Sequence, residues 1–136
     1  MDNYVELEVL SRDECLRLLG KATVGRIALS RGALPAVVPV NFCVNDEQIF
    51  VRASPKNRLA ATVDGQVVAF EVDDFDPMCD SGWTVTVTGL ASALTNDAGR
   101  EEVKLAPLTR WAPLGHGHVV AITAELASGY RLRDSG

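Results

Sequence analysis

Between Arg52 and Arg58 the chain reads Arg-Ala-Ser-Pro-Lys-Asn-Arg, which places three of its 13 lysines and arginines in one short segment of an otherwise acidic protein. The residues before it, Gln48-Ile49-Phe50-Val51, have the composition of a strand, and residues 59–65 that of a short helix closed by Gly65. Ser54 then stands as a helix N-cap and Pro55 as the first helical residue. Cations oppose the positive end of a helix dipole, so Lys56 and Arg58 in the first turn are best understood with an anion between them. A phosphate would engage the free backbone N–H groups, the Ser54 hydroxyl and the two cations together. The same residues also read as a solvated basic turn, and composition alone leaves both readings open.

Other groups capable of chemistry are sparse. His116 and His118 could place two rings on one side of a strand to hold a metal, but no third ligand is evident, and hydrogen-bonded loop histidines are the plainer expectation. Glu71, Asp73, Asp74 and Asp76 lack the pattern of a calcium loop and read as a solvated acidic loop with local pairing. Trp111, in Arg110-Trp111-Ala112-Pro113, suits a core plug or interface anchor and could also stack on a planar ligand. There is no Gly-x-Ser-x-Gly elbow, dinucleotide fingerprint or Walker loop, so catalytic residues are not assigned.

The net charge of −5 and a pI of about 4.9 argue against a nucleic-acid or membrane-surface partner and point to a phosphate on a small molecule. At 136 residues, with 47% hydrophobic and 23% charged content, the chain fits one globular domain over 1–136. No apolar run reaches the ~20 residues of a membrane span, and residues 1–6 lack the features of a signal peptide. Cys15, Cys43 and Cys79 are odd in number and widely spaced, as expected of reduced thiols in a cytoplasmic protein. Cys43, in an apolar strand, reads as a small buried hydrophobe.

The elements that would position these residues follow from capping and periodicity. Ser11 and Glu14 have capping-box spacing and open a helix through residues 15–19, which Gly20 ends. Strands are expected at residues 23–30 and 35–44 around a turn at Arg31-Gly32-Ala33, and at 48–53 after a turn at Asn45-Asp46-Glu47. Residues 66–73 make an apolar strand and residues 73–82 a loop. Trp83, Val85, Val87, Gly89 and Ala91 then alternate with a largely hydroxylated face, the pattern of a half-buried antiparallel strand. A helix over 100–105, a strand over 118–126 and a short strand over 130–133 complete the chain. Six or seven strands with three short helices favour an antiparallel barrel over repeated βαβ units.

Three segments carry a resemblance: Gly25-Arg26-Ile27-Ala28 leading to 35–42, Ile49 to Lys56, and Val68-Ala69-Phe70-Glu71-Val72-Asp73 followed by Gly82 to Ala91. In order and spacing they resemble the pyridoxamine 5′-phosphate oxidase-like, flavin-binding split-barrel family, and within it the small bacterial branch of nitroimidazole-resistance-type proteins. The likeness spans about residues 10–132. It implies a mainly β (α+β) fold, a six-stranded antiparallel split β-barrel with short flanking helices, paired as a homodimer with two cofactor sites across the interface. FMN is the cofactor the resemblance implies, with a deazaflavin coenzyme or haem as alternatives. Its phosphate would meet Arg52, Ser54, Lys56 and Arg58, and its ring would lie along Val38, Pro39, Val40 and Asn41, covered by Trp111 from the other subunit. The implied activity is that of an FMN-binding oxidoreductase acting between an electron donor and a small-molecule substrate, with a non-catalytic flavin carrier as the alternative. The substrate-binding basic residues of pyridoxamine phosphate oxidase itself have no clear matches. The chain also departs from the family near its end, where Tyr130 stands in place of a common arginine.

Overall fold

The structure, a computed structural model, describes residues 5–53, 58–94 and 118–134. Among these are eight strands and two helices: β1 (Val5–Val9), α1 (Arg12–Leu19), β2 (Val24–Arg31), β3 (Leu34–Asn45), β4 (Gln48–Ala53), α2 (Leu59–Val63), β5 (Val67–Asp76), β6 (Ser81–Leu94), β7 (His118–Thr123) and β8 (Leu126–Asp134). Every pairing is antiparallel, in the order β1-β8-β6-β5-β2-β3-β4-β7, and β6 also pairs with β7. That last pairing closes the six strands β2 to β7 into the expected split barrel.

The split lies in β6, which pairs with β8 from Gly82 to Thr88 and with β7 from Ala91 to Leu94. Gly89 sits at the changeover. A Cβ there would collide with the Thr123 carbonyl oxygen, so only glycine lets the two backbones come this close. The alternation in β6 follows the pleat, with Val85, Val87 and Ala91 in the core and the threonines outside. Inside the barrel Phe42 and Phe70 meet edge to face at 4.8 Å, among Ile27, Ile49, Val51, Val72 and Ile122.

The tight turns follow from local conformation. Asp46 (φ 51°) and Glu47 (φ 60°) are both left-handed, as a two-residue type I′ hairpin turn demands. Gly32 (φ 60°) serves the β2–β3 hairpin at no steric cost. In α1, Ser11 Oγ accepts from the Glu14 N–H at 3.2 Å, and the apolar stripe Cys15, Leu18 and Leu19 is buried. The Glu14 carboxylate does not fold back on the cap; it takes Arg17 and Arg131 instead. Gly20 ends the helix in a right-handed conformation.

Three expectations are corrected. The loop placed at 73–82 is mostly strand, since β5 runs to Asp76 and pairs residue by residue with β6 up to Asp76↔Ser81. Acidic side chains on the outer end of a hairpin stay solvated while the backbone ladder continues beneath them. The single strand placed at 118–126 is broken after Thr123. The corner is held by the Ala124 N–H on the Glu47 carbonyl (3.0 Å) and by Arg12, which donates to the Ala124 carbonyl at 2.5 Å. Strand β1 was not anticipated; its Glu6 and Glu8 alternate with apolar residues, and it pairs with β8 at the end of the sheet order. The helix expected at 100–105 lies outside the described residues.

Candidate functional site

Asn41 on β3 and Arg52 on β4 are directly opposed, and Arg52 faces Val119 of β7 on its other side. Because side chains alternate along a strand, this row lies on the outer face of the barrel, opposite the faces of Val40, Phe42, Val51 and Ala53, which join the core. Asn41 and Arg52 are half-buried. The next row on the same face, Cys43, Phe50 and Ala121, is apolar, and Phe50 and Ala121 are buried together with Val119, with Cys43 and Leu94 packed on them. Burial pushes the Cys43 thiol above its ordinary value, so at neutral pH it is an uncharged, apolar-like group. A guanidinium and an amide thus share the rim of an apolar outer patch, which suits a ligand with a charged end and a flat apolar body.

Beside this pair β3 outruns its neighbour. β4 ends at Ala53, and among the described residues β3 from Leu34 to Val40 pairs with β2 alone. The Phe42 N–H bonds to the Thr23 carbonyl at 3.0 Å. Alternation of hydrogen-bonded pairs then directs the even-numbered residues of β3 toward β2 and the odd-numbered ones to the side β4 vacates. On that open side lie the carbonyls of Pro35, Val37 and Pro39 and the N–H of Val37. Pro35 and Pro39 are accommodated there because neither has a donor to offer.

The ring-lining residues therefore divide by face. Pro39 and Asn41 present their side chains on the outer face, whereas Val40 is core and Val38 packs against it. Sequence reasoning missed Val37, whose side chain is 64% exposed and whose N–H is on the open edge. Two prolines at odd positions of one strand were the available signal.

The helix after the basic segment differs from expectation. α2 begins at Leu59, and its N-cap is Arg58, left-handed (φ 55°) and without a side-chain capping bond. Ser54 is therefore not the cap of α2, and Arg58 is not in its first turn. A helix of five residues has little dipole to offer, so any attraction for an anion comes from the cations and not from the helix end. Leu59, Ala60 and Val63 explain the placement, since α2 is positioned by burying them. Arg58 is exposed at its start. Ser54, Lys56, Trp111 and His116 lie outside the described residues. His118 opens β7 opposite Ala53. Among the described residues there is no group of three metal-ligating side chains.

On the same outer face, Glu71 and Asp73 are engaged by Arg26. Arg26, opposite Pro39 on one side and Glu71 on the other, bonds Glu71 at 3.1 Å and Asp73 at 3.3 Å. Burial, followed by the neighbouring Asp73, raises the Glu71 carboxyl above its ordinary value against the pull of Arg26.

With this barrel and site in view, the chain belongs to the pyridoxamine 5′-phosphate oxidase family, whose profile matches residues 11–131. It is 37% identical over 134 residues to the uncharacterized protein Rv0080 of Mycobacterium tuberculosis, covering 93% of this chain and 86% of that one. The FAD binding protein of Mycobacterium smegmatis superposes with a TM-score of 0.77 at 30% identity, covering 92% of this chain and 97% of that one. A Bacteroides thetaiotaomicron protein described as a candidate 5-nitroimidazole antibiotic resistance protein shares the fold, with a TM-score of 0.72 at 10% identity over 100% of this chain and 96% of that one.

Proposed function

We propose that the protein is an FMN-binding oxidoreductase of flavin-reductase or nitroreductase type, with chain 1–136 forming one flavin-binding domain that works in the cytoplasm as a homodimer. The observation that carries this is the opposed pair Asn41 and Arg52 beside the open edge of β3. Arg52, with Ser54, Lys56 and Arg58, holds the phosphate. Asn41 and the strand Val38-Pro39-Val40 run along the ring, and Trp111 of the partner subunit covers it. The flavin, when bound, supplies hydride exchange between a reduced donor and an acceptor. The chain's own residues orient the ring, exclude water from its apolar face and balance the phosphate charge. Exposed Val24 and Val37 on the outer face of β2 and β3 supply apolar surface for a second copy.

A second ligand reading has its own support. The M. smegmatis relative is described as an FAD binding protein, and FAD offers the same ring and first phosphate to the same residues. Titration with FMN, FAD, a deazaflavin coenzyme and haem ranks the four. Loaded protein is then assayed for oxidation of reduced nicotinamide with a nitroaromatic acceptor, and its mass in solution is measured. Flavin binding with turnover in a dimer is the expected result. Binding without turnover would establish a carrier instead, and failure to bind any flavin would end the proposal.

A further inference from the structure

At the outer end of the β5–β6 hairpin the inner face of the sheet leaves the core and opens into a cleft of about 370 Å³ that Trp83 lines. Asp74, Trp83 and Arg131 form one row across β5, β6 and β8. Asp76 and Arg133 line the cleft one step further out. Trp83 is half-buried and packs partly on the core, which fixes the ring as a wall of the cleft. The cleft is remote from the cationic pair: Trp83 is near the start of β6 and Leu94, opposite Val119, at its end, roughly 35 Å apart along the strand.

The charges here are unevenly matched. Arg131 bonds Glu14 at 2.8 Å and lies 4.0 Å from Glu8, and Arg133 pairs with Glu8 at 3.0 Å. Glu14 also serves Arg17, so two carboxylates of β1 and α1 engage three arginines and offset most, not all, of their charge. Asp74 and Asp76 have no cationic partner among the described residues; Asp76 accepts only local bonds, such as that from the Met78 N–H at 2.9 Å. An anionic ligand would have to displace Glu8 or Glu14. A cationic one meets two available carboxylates beside an indole, and an aromatic face next to a carboxylate is the arrangement that recognises organic ammonium groups.

We propose that this cleft is a second binding site, selective for a small organic cation that carries an ammonium- or pyridinium-type charge on an apolar or planar body. The Trp83 ring takes the body and the charge, with Asp74 beside it in register and Asp76 at the mouth. A bare metal ion is a poorer match, because an indole replaces the oxygen ligands a hard cation requires.

The test is titration of the full-length protein with benzyltrimethylammonium, followed by the indole N–H signals of its two tryptophans, Trp83 being assigned with Trp83→Phe. The Trp83 signal is expected to shift and saturate with a Kd of about 1 mM or tighter, while benzyl alcohol and benzoate bind at least about tenfold more weakly. Asp74→Asn should weaken the cation about fivefold or more without altering flavin binding or the melting temperature. If Asp74→Asn disturbs folding, the ranking of the three probes on the unmodified protein decides. No saturation, an equal response to benzyl alcohol, tighter binding of benzoate, or an unchanged affinity in a folded Asp74→Asn variant would each overturn the proposal.

Discussion

Asn41 and Arg52 face each other across β3 and β4 on the outer side of the barrel, half-buried, where β3 runs on past the end of β4. An amide that reads a ring edge and a cation that reads a phosphate should respond differently to substitution. Asn41→Ala should weaken FMN and riboflavin equally, by about 1 kcal/mol, the net value of one hydrogen bond. Fluorescence-quenching titrations with both ligands check this, and a loss confined to FMN would place Asn41 at the phosphate.

Lys56 should separate the two ligands in the opposite way. Lys56→Ala is expected to weaken FMN by about 1–3 kcal/mol and leave riboflavin almost unchanged, because a charge-assisted contact to phosphate is lost. Equal effects on both would show that Lys56 acts through folding. Raising the salt concentration should reduce the FMN-specific part.

Gly89→Ala should be among the most damaging single changes. Its new methyl group meets the Thr123 backbone at the point where β6 passes from β8 to β7, and backbone cannot rotate away. A loss of about 3 kcal/mol or more is expected, lowering the melting temperature by roughly 10 °C. Gly32→Ala is the control: it is left-handed but meets nothing within 4 Å, and should cost about 1 kcal/mol.

Acid should act through the α1–β8 contact. Hydrogen bonds from Arg17 and then Arg131 hold the Glu14 carboxyl down at about 2, against an ordinary 4.5. A carboxyl lowered on folding adds stability that is complete above 4.5 and is lost as pH falls toward 2. Glu14→Gln should therefore flatten the pH dependence of the melting temperature in that window. Glu71 has the opposite sign: its raised carboxyl contributes stability that is lost as pH rises through its folded value. Glu71→Gln should accordingly cost little at neutral pH, and the two melting profiles should diverge in acid.

Much of the barrel was legible because its strands have one dry face. The alternation from Trp83 to Ala91 and the Ser11–Glu14 cap each encode their own conformation locally, and both were found. The acidic end of β5 was misread because its signal to pair lies on β6, not in its own composition. The break after Thr123 depends on Glu47 and Arg12, distant in sequence, and on the passage of Gly89. At the site, the basic character of Arg52 was visible, but its opposition to Asn41 is a matter of register. Residues 59–65 read as helical from their composition, but the cap expected at Ser54 is instead Arg58, directly before the buried Leu59, Ala60 and Val63.

The proposed function places the phosphate of a flavin in a cationic pocket at the β4 end. Its most direct test is the ratio of dissociation constants for riboflavin and FMN on the unmodified protein, repeated with Arg52→Ala. FMN should bind tighter by about tenfold or more, the value of at least one charge-assisted contact, and Arg52→Ala should remove most of that preference. Riboflavin binding as tightly as FMN to the unmodified protein would contradict it.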